Sequence, residues 1–255
     1  DSWASRGLGD VYKRQTLYPG NWSDYVANEW PTFTQNTNTD RNILIEDFTG
    51  HKCIFCPAAA DLAHQLHEAN PNRVYVASIH AGVDGIGDFQ TVDAEYPLDF
   101  TNPDGLAIGT WFGLNDGGFI GNPRGPISRV SNGGVIFQSP GQWSSMTSTL
   151  LTANDLKVNM QAALNYYPAT KGAFLHIEAE KLDPSLTNEL GIVAYVLEDS
   201  LVGDQKMSDN THNHAYVHRD IHRKNLNNMP FGRQLTTADL NLSLIHISEP
   251  TRRSW

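Results

Sequence analysis

The two cysteines of the 255-residue chain, Cys53 and Cys56, lie three positions apart in the stretch "DFTGHKCIFCP". Two intervening residues let the sulfur atoms meet within one turn, so the pair can close a disulfide or act as a dithiol. Free N–H groups at a helix start would favour a thiolate at Cys53, and His51 and Lys52 would add positive charge. The spacing therefore indicates thiol–disulfide chemistry.

Three other interpretations of the cysteine pair are a structural disulfide, a zinc site and covalent haem attachment. A structural disulfide suits an oxidising compartment, although so short a loop stabilises a fold only weakly. A zinc site needs four ligands, and the chain has only two cysteines. Covalent haem attachment needs a histidine directly after the second cysteine, and Pro57 stands there. The pair can thus be catalytic or structural, and no cofactor is expected.

The elements around the pair follow from hydrophobic spacing. The apolar run "NILIEDF" (residues 42–48) predicts a buried strand, residues 56–70 predict a helix, and "VYVASIHA" (residues 74–81) predicts a second strand. Strand, helix and strand in this order indicate a right-handed parallel crossover. Further helices are predicted near residues 103–113 and 142–153. The cysteines would lie where the first strand passes into the first helix.

The stretch "ILIEDFTGHKCIFC" resembles thioredoxin in its strand, in the acid six residues before the first cysteine, and in the CxxC motif. This resemblance implies that Asp47 is a buried acid that moves protons at the second cysteine. It also implies a cis-proline opposite the dithiol, for which Pro123 in "GNPRGP" is the candidate and Pro126 the alternative. Because Glu46 and Asp47 face opposite sides of the strand, we expect only one of them to be buried, and the resemblance selects Asp47.

The resemblance also assigns roles in a redox reaction. Cys53 would attack a substrate disulfide and Cys56 would resolve the mixed disulfide. Asp47 would accept or supply a proton, and Pro123 would shape the substrate groove. The residues between the cysteines, "IF", differ from the usual Gly-Pro, so the resemblance carries no reduction potential to this chain.

A longer resemblance covers most of the chain. The segments "LIEDFTGHKCIFCPAAA", "GNPRGPISR", "YVLEDSLVGDQK" and "YVHRDIHR" resemble the outer-membrane-protein-28-related family of Bacteroidetes. It implies an exported protein of the outer membrane or periplasm, with membrane contact only through a lipid anchor absent from this chain. The partners would be exported proteins with thiols or disulfides, or an extracellular ligand. Thiol–disulfide exchange and a non-catalytic binding or adhesion lipoprotein are the two functions left open.

The expected fold class is an α/β thioredoxin-like domain (residues 41–154) followed by an incomplete antiparallel β-sandwich (residues 155–241). Alternating segments at residues 156–164, 172–181 and 189–198 are typical of antiparallel strands. Residues 16–40 are polar and aperiodic, which predicts an irregular lead-in. The change to alternating segments after Asn154 sets the expected boundary, and the resemblance implies a thioredoxin-like domain followed by a β domain.

Both ends of the chain look foreign to the protein. One DNA duplex can encode "SRGLGDVYKRQ" (residues 5–15) on one strand and "LSLIHISEPTR" (residues 242–252) on the other. That duplex resembles an adapter used in preparing sequencing libraries. We therefore expect residues 1–15 and 242–255 to be translated adapter and exclude them from the fold prediction.

Two further patterns concern ligands. His214, His218 and His222 share one face of either a strand or a helix, which makes them weak candidates for binding Zn²⁺, Cu²⁺ or Ni²⁺. A solvated strand face is the plainer interpretation. The net charge of −10 without a basic stripe argues against a nucleic-acid partner. The sequence therefore predicts no metal as a firm feature.

Overall fold

A computed structural model describes residues 33–167, 172–186, 190–226, 229–235 and 244–252. The adapter interpretation of residues 1–15, the lead-in up to residue 32, and residues 236–243 lie outside this part of the chain. The described residues form three helices and eleven strands, in chain order β1 (Ile43–Thr49), α1 (Cys56–Ala69), β2 (Val74–His80), α2 (Pro103–Asn115), α3 (Pro140–Ala153), β3 (Val158–Tyr167), β4 (Gly172–Lys181), β5 (Gly191–Ile192), β6 (Tyr195–Glu198), β7 (Leu201–Lys206), β8 (His212–His218), β9 (Ile221–Asn225), β10 (Arg233–Gln234) and β11 (Leu244–Arg252).

The main sheet of the larger unit has the strand order β1-β2-β9-β6. β1 and β2 pair in parallel from Ile43 opposite Val74 to Thr49 opposite His80, with α1 as the crossover between them. β9 continues in parallel beside β2, and β6 runs antiparallel to β9. The predicted crossover unit is present, so both cysteines lie at the carboxyl end of β1.

The outer edge of β1 pairs with residues 124–128, which run antiparallel through isolated bridges. The N–H of Ser128 donates to the carbonyl of Leu44 (2.7 Å), and the N–H of Phe48 donates to the carbonyl of Arg124 (2.9 Å). Gly125 permits this approach, because a Cβ atom there would overlap the carbonyl oxygen of Glu46. The segment therefore completes the sheet without forming a regular strand.

Both faces of this sheet are covered by apolar side chains. One cluster packs α1 and α3 against β1 and β2, and it includes Ile43, Ile45 and Trp143. The other cluster packs α2 against the opposite face and includes Phe48 and Phe112. Because residues alternate along a strand, a buried position exists on each side of β1.

The division of the chain differs from the prediction of one β domain over residues 155–241. The described residues of 39–156 and 189–235 form one unit, and those of 33–38, 157–188 and 244–252 form the other. The reason is that β6 and β9 pair within the sheet that begins with β1 and β2. Alternation predicted a strand over residues 189–198, which contains β6, but it could not identify the partners of that strand, and it did not predict β9.

The smaller unit contains a three-stranded antiparallel sheet in the order β11-β4-β3. Among the described residues this is its one sheet, so a sandwich of two sheets is not observed there. β11 lies within the residues that the sequence analysis predicts to be translated adapter, and it pairs with β4 over its whole length. Main-chain pairing depends little on side-chain identity, so the adapter interpretation stays a prediction.

Within the described residues, no helix combines the length and the apolar composition that crossing a bilayer requires.

Candidate functional site around Cys53 and Cys56

Cys53 and Cys56 form a disulfide, and their Cα atoms lie 5.4 Å apart. Each cysteine is only 1% exposed, whereas Phe55 between them is 64% exposed. α1 begins at Cys56, so Cys53 lies in the turn before the helix rather than in its first turn. The surface of this loop is therefore the Phe55 ring, and neither sulfur atom is open to an attacking thiolate.

Strand β7 covers the turn that carries Cys53. The N–H of Lys206 donates to the carbonyl of His51 (2.8 Å). The side-chain amide of Gln205, itself buried, donates to the carbonyl of Cys53 (3.1 Å). These two contacts hold β7 directly against the main chain that precedes the disulfide.

The long loop before α2 supplies a second cover. The N–H of Lys52 donates to the carbonyl of Phe89 (3.1 Å). Gly50 allows the two segments to meet, since a Cβ atom there would lie 2.6 Å from the Phe89 carbonyl oxygen. The buried side chain of Gln90 also donates to the carbonyl of Thr49 (2.7 Å). The disulfide turn is thus enclosed by segments distant from it in sequence.

The positive charge expected beside Cys53 is largely absent from the folded conformation. Burial lowers the pKa of His51, whose Nε2 lies 3.0 Å from the carbonyl oxygen of Thr91, so the imidazole is neutral at neutral pH. The ammonium of Lys52 lies 2.6 Å from the carboxylate of Asp93. The structure therefore does not support thiolate activation by these two residues, because one is uncharged and the other is paired.

Asp47 is 1% exposed, and neither of its carboxyl oxygens accepts a hydrogen bond from the part of the chain that the structure describes. Burial raises the pKa of Asp47 to about 7. The carboxyl group consequently changes charge near neutral pH, since removing water penalises the ionised form. The resemblance to thioredoxin implied such a buried acid at this position.

Asp47 and Cys56 line a cleft of about 230 Å³, together with side chains of α1, β2 and β8. Burial lowers the pKa of His80 well below its ordinary value and that of His218 to about 4. Both imidazoles are therefore neutral at neutral pH. The cleft thus places two neutral imidazoles and the titratable carboxyl of Asp47 next to the second cysteine, and its lining also includes Asp61, Arg219 and Asp220.

The peptide bond between Asn122 and Pro123 is cis. The following residue, Arg124, accepts the N–H of Phe48 near the end of β1, which places Pro123 at the same end of the sheet as the disulfide turn. Among the described residues this is the one cis bond, so Pro126 is not the cis-proline. A role for Pro123 in shaping a substrate groove stays a prediction.

Glu46 is also 1% exposed, which corrects the expectation that only one acid of the pair is buried. Arg129 donates to both carboxylate oxygens of Glu46 at 2.8 Å. The hydroxyl of Tyr195 donates to the same carboxylate at 2.8 Å. The expectation failed because it assumed one solvated face, whereas both faces of the sheet are covered.

The three histidines proposed as weak metal candidates do not meet. His222 is fully buried, and its Nε2 lies 2.7 Å from the side-chain oxygen of Asn225. His218 packs against the ring of Phe100 at 4.3 Å between centroids. His214 is exposed on β8. β8 pairs with β7, whereas β9 pairs with β2 and β6, and Asp220 between them has a positive φ. A shared period along the sequence therefore does not bring these side chains together.

Several residues of the site gave no usable sequence signal. Gln205 contacts the carbonyl of Cys53, and Arg129 and Tyr195 contact the carboxylate of Glu46. In each case the two partners are far apart in the sequence. The sequence "VGDQK" indicates only the end of a strand. Its contact with Cys53 depends on tertiary packing. A search for polar residues on predicted buried strands would have found Glu46, but not its partners.

Comparison with known proteins gives a fold-level likeness. No protein-family model matches the chain, and no curated protein matches it. Among solved structures, HBP35 of Porphyromonas gingivalis aligns with a TM-score of 0.62 and 14% sequence identity. The alignment covers 84% of this chain and 64% of HBP35, so the chain spans less than two thirds of that protein. Protein AGR_C_4864 of Agrobacterium tumefaciens aligns with a TM-score of 0.41 and 10% identity. At these identities the HBP35 likeness concerns the fold alone.

Proposed function

We propose that this chain is part of an exported cell-envelope protein in which a thioredoxin-like domain serves as a scaffold for binding. In this proposal the Cys53–Cys56 bond is a structural disulfide rather than a catalytic one. The observation that carries the proposal is the burial of Cys53, which is 1% exposed beneath β7. Function depends on the site and not on the fold, so the closed dithiol outweighs the likeness to a redox enzyme.

The thioredoxin-like assignment is supported by the order of elements. A parallel β1-α1-β2 unit, the CxxC motif at the start of α1 and the cis bond before Pro123 occur in the arrangement that the resemblance implies. Export and a place in the outer-membrane-protein-28-related family are supported by the sequence segments around "EDFTGHKC". The fold shared with HBP35 is compatible with that family.

Access decides between a structural and a catalytic disulfide. Thiol–disulfide exchange needs a thiolate to reach one sulfur atom from outside. Here Lys206 and Gln205 of β7 donate to the carbonyls of His51 and Cys53, while the exposed side chain of the loop is Phe55. An incoming protein thiol would have to displace the β7–β8 hairpin first.

The ligand site in this proposal is the cleft next to Cys56. Its lining is mostly polar and includes Asp47, His80 and His218, which hold hydrogen-bonding atoms in a site of about 230 Å³. Such a lining suits a small polar ligand better than an apolar one, because buried polar groups need partners.

An insulin-reduction assay tests the scaffold proposal. The protein is mixed with dithiothreitol and insulin, and precipitation of the reduced insulin chains is followed by turbidity. We expect the protein to give the same rate as dithiothreitol alone and as the Cys53→Ser, Cys56→Ser double variant. A rate well above that of the double variant would contradict the proposal.

Thiol–disulfide exchange is the second candidate, and the position of Asp47 beside Cys56 in the lining of one cleft favours it. The reduced Cys53 thiolate would attack a substrate disulfide and release one substrate thiolate. Cys56, deprotonated by Asp47, would then displace the second substrate thiolate and leave the oxidised pair. Two electrons pass to the substrate, so an exported dithiol protein must reduce the pair again.

This candidate predicts that loosening the cover increases turnover. Gln205→Ala removes the side chain that donates to the Cys53 carbonyl, and it should raise the insulin-reduction rate several-fold. Gln142→Ala, an exposed glutamine on α3, is the matched control and should leave the rate unchanged. Equal rates in both variants, at the level of dithiothreitol alone, would exclude the second candidate.

A further inference from the structure

The β7–β8 hairpin gathers three metal-ligating side chains that the sequence did not group. The carboxylate oxygen Oδ1 of Asp204 lies 2.9 Å from Nε2 of His212 and 2.8 Å from Nδ1 of His214. One ligand atom from each of the three residues lies within 4.8 Å of the others. A divalent cation of the first transition series can contact all three atoms after a small outward movement of the side chains.

Strand geometry explains why these residues meet. His212 and His214 are two positions apart on β8, so their side chains project from the same face. Asp204 lies at an irregularity in the pairing of β7 with β8, where the register shifts between Gly203 and Gln205. Between the pairs that these two residues make, His214 and Ala215 of β8 oppose the single residue Asp204 of β7, so the extra residue lies on β8, and the Asp204 carboxylate contacts both imidazoles beside this bulge.

The site is partly preorganised. The ring of Tyr96 stacks on His212 with centroids 4.4 Å apart and planes 10° from parallel, which fixes the imidazole orientation. Nε2 of His212 is buried, and despite its short distance to Asp204 it makes no well-aligned hydrogen bond within the described residues. A nitrogen held near a carboxylate oxygen without good hydrogen-bond geometry is a better metal ligand than a satisfied one.

We propose that Asp204, His212 and His214 form a binding site for Zn²⁺ or a similar borderline cation, with water at the remaining coordination position. Two imidazoles and one carboxylate are a ligand set found in zinc sites that keep an open position. His214 is 76% exposed, so the metal would face solvent and could bind a further ligand. The site lies on the strand that covers the disulfide turn, and it does not depend on which proposed function is correct.

The decisive experiment is a Zn²⁺ titration of the full chain in competition with a chromophoric chelator. The wild-type chain should bind one equivalent of Zn²⁺, and His214→Ala should weaken that binding at least about tenfold, because even residues that only support ligands contribute that much. The exposure of His214 makes this the variant least able to disturb the fold. Asp204→Asn should weaken binding to a similar extent.

Two control variants separate this site from general effects of charge and of histidine. Asp209→Asn removes a carboxylate from the turn of the same hairpin, where the Asn side chain can still accept from Thr211. His67→Gln removes an imidazole from α1. Both should keep the wild-type affinity. The intensity of Co²⁺ visible absorption should further show four-coordination in the wild-type chain and lose it in His214→Ala.

Two results would overturn the proposal. One is the absence of Zn²⁺ binding by the wild-type chain under conditions where circular dichroism shows it to be folded. The other is equal affinity in the wild-type and His214→Ala chains, which would place any bound metal elsewhere.

Discussion

Glu46 and Asp47 are adjacent on β1, are equally buried, and have opposite environments. Glu46 accepts hydrogen bonds from Arg129 and Tyr195, so its charge is compensated inside the protein. Asp47 accepts none from the described residues, and burial raises its pKa to about 7. One strand therefore carries a closed ion pair on one face and a titratable group on the other.

The difference separates a structural acid from a candidate functional one. A buried carboxylate with a full set of donors strengthens a particular arrangement of strands, here by tying residue 129 and β6 to β1. A buried carboxyl without donors destabilises the fold when ionised, so its presence calls for another explanation. Asp47 lies next to Cys56 and lines the cleft. It would therefore contact the ligand in the scaffold proposal and move a proton at Cys56 in the exchange proposal.

The largest expected change in the free energy of unfolding comes from removing the charge of Glu46. Glu46→Gln leaves the guanidinium of Arg129 partly buried without a counter-charge, which should lower the free energy of unfolding by about 3 to 5 kcal/mol. Urea unfolding monitored by tryptophan fluorescence measures this change. Glu68→Gln, at an exposed pair with His64, is the control and should have little effect. A loss no larger than that of the control would show that the buried pair contributes nothing specific.

Replacing Asp47 should change the free energy of unfolding by a similar amount, but in the stabilising direction and only at pH values where the carboxyl is ionised. The pKa of Asp47 is about 7 in the folded state and about 3.9 when unfolded, so the unfolded chain releases this proton first as the pH rises. Stability is therefore lost between about pH 4 and pH 7, by about 4 kcal/mol over roughly three pKa units. Asp47→Asn should abolish this loss and be more stable than the wild-type chain at pH 8.

The control for this titration is Asp61→Asn, which removes an exposed carboxylate from the same cleft. Its unfolding free energy should follow the wild-type pH profile. If Asp47→Asn also kept the wild-type profile, Asp47 would not be the group that titrates, and the contrast with Glu46 would be lost.

Tyr195→Phe should have the smallest effect of the three and sharpen the Glu46 account. It removes one hydroxyl donor from a charged acceptor and leaves Arg129 in place, so we expect a loss of about 2 kcal/mol in unfolding free energy. Double-mutant analysis with Glu46→Gln should show that the two losses do not add, because the Tyr195 hydroxyl has already lost its charged acceptor in the Glu46→Gln variant, and removing the hydroxyl there costs less. Additive losses would mean that Tyr195 acts independently of Glu46.

The sequence predicted the elements that carry local signals. β1, α1 and β2 agree with the spacing of their apolar residues. The helix predicted near residues 103–113 is α2, whose N-terminus is capped by the Asn102 side chain, which accepts the N–H of Gly105. The cysteine pair was found by its spacing. These features depend on residues that are close in the chain, so a single sequence contains the information.

The cover over Cys53 and the placement of β6 and β9 were not predictable in the same way. β9 pairs with β2 across more than 130 residues, and an alternating pattern does not state which sheet a strand joins. The meeting of Asp204 with His212 and His214 depends on the register in which β7 pairs with β8, which no periodicity reveals. Long-range pairing and local irregularity account for what sequence reasoning missed at the site.

The most direct test of the scaffold proposal is the rate at which dithiothreitol reduces the Cys53–Cys56 disulfide in increasing concentrations of urea. If β7 and the loop before α2 enclose a structural disulfide, reduction should be slow in water and should accelerate in parallel with unfolding. A fast rate in water that urea does not change would show that the disulfide is accessible in the native fold, and it would contradict the account.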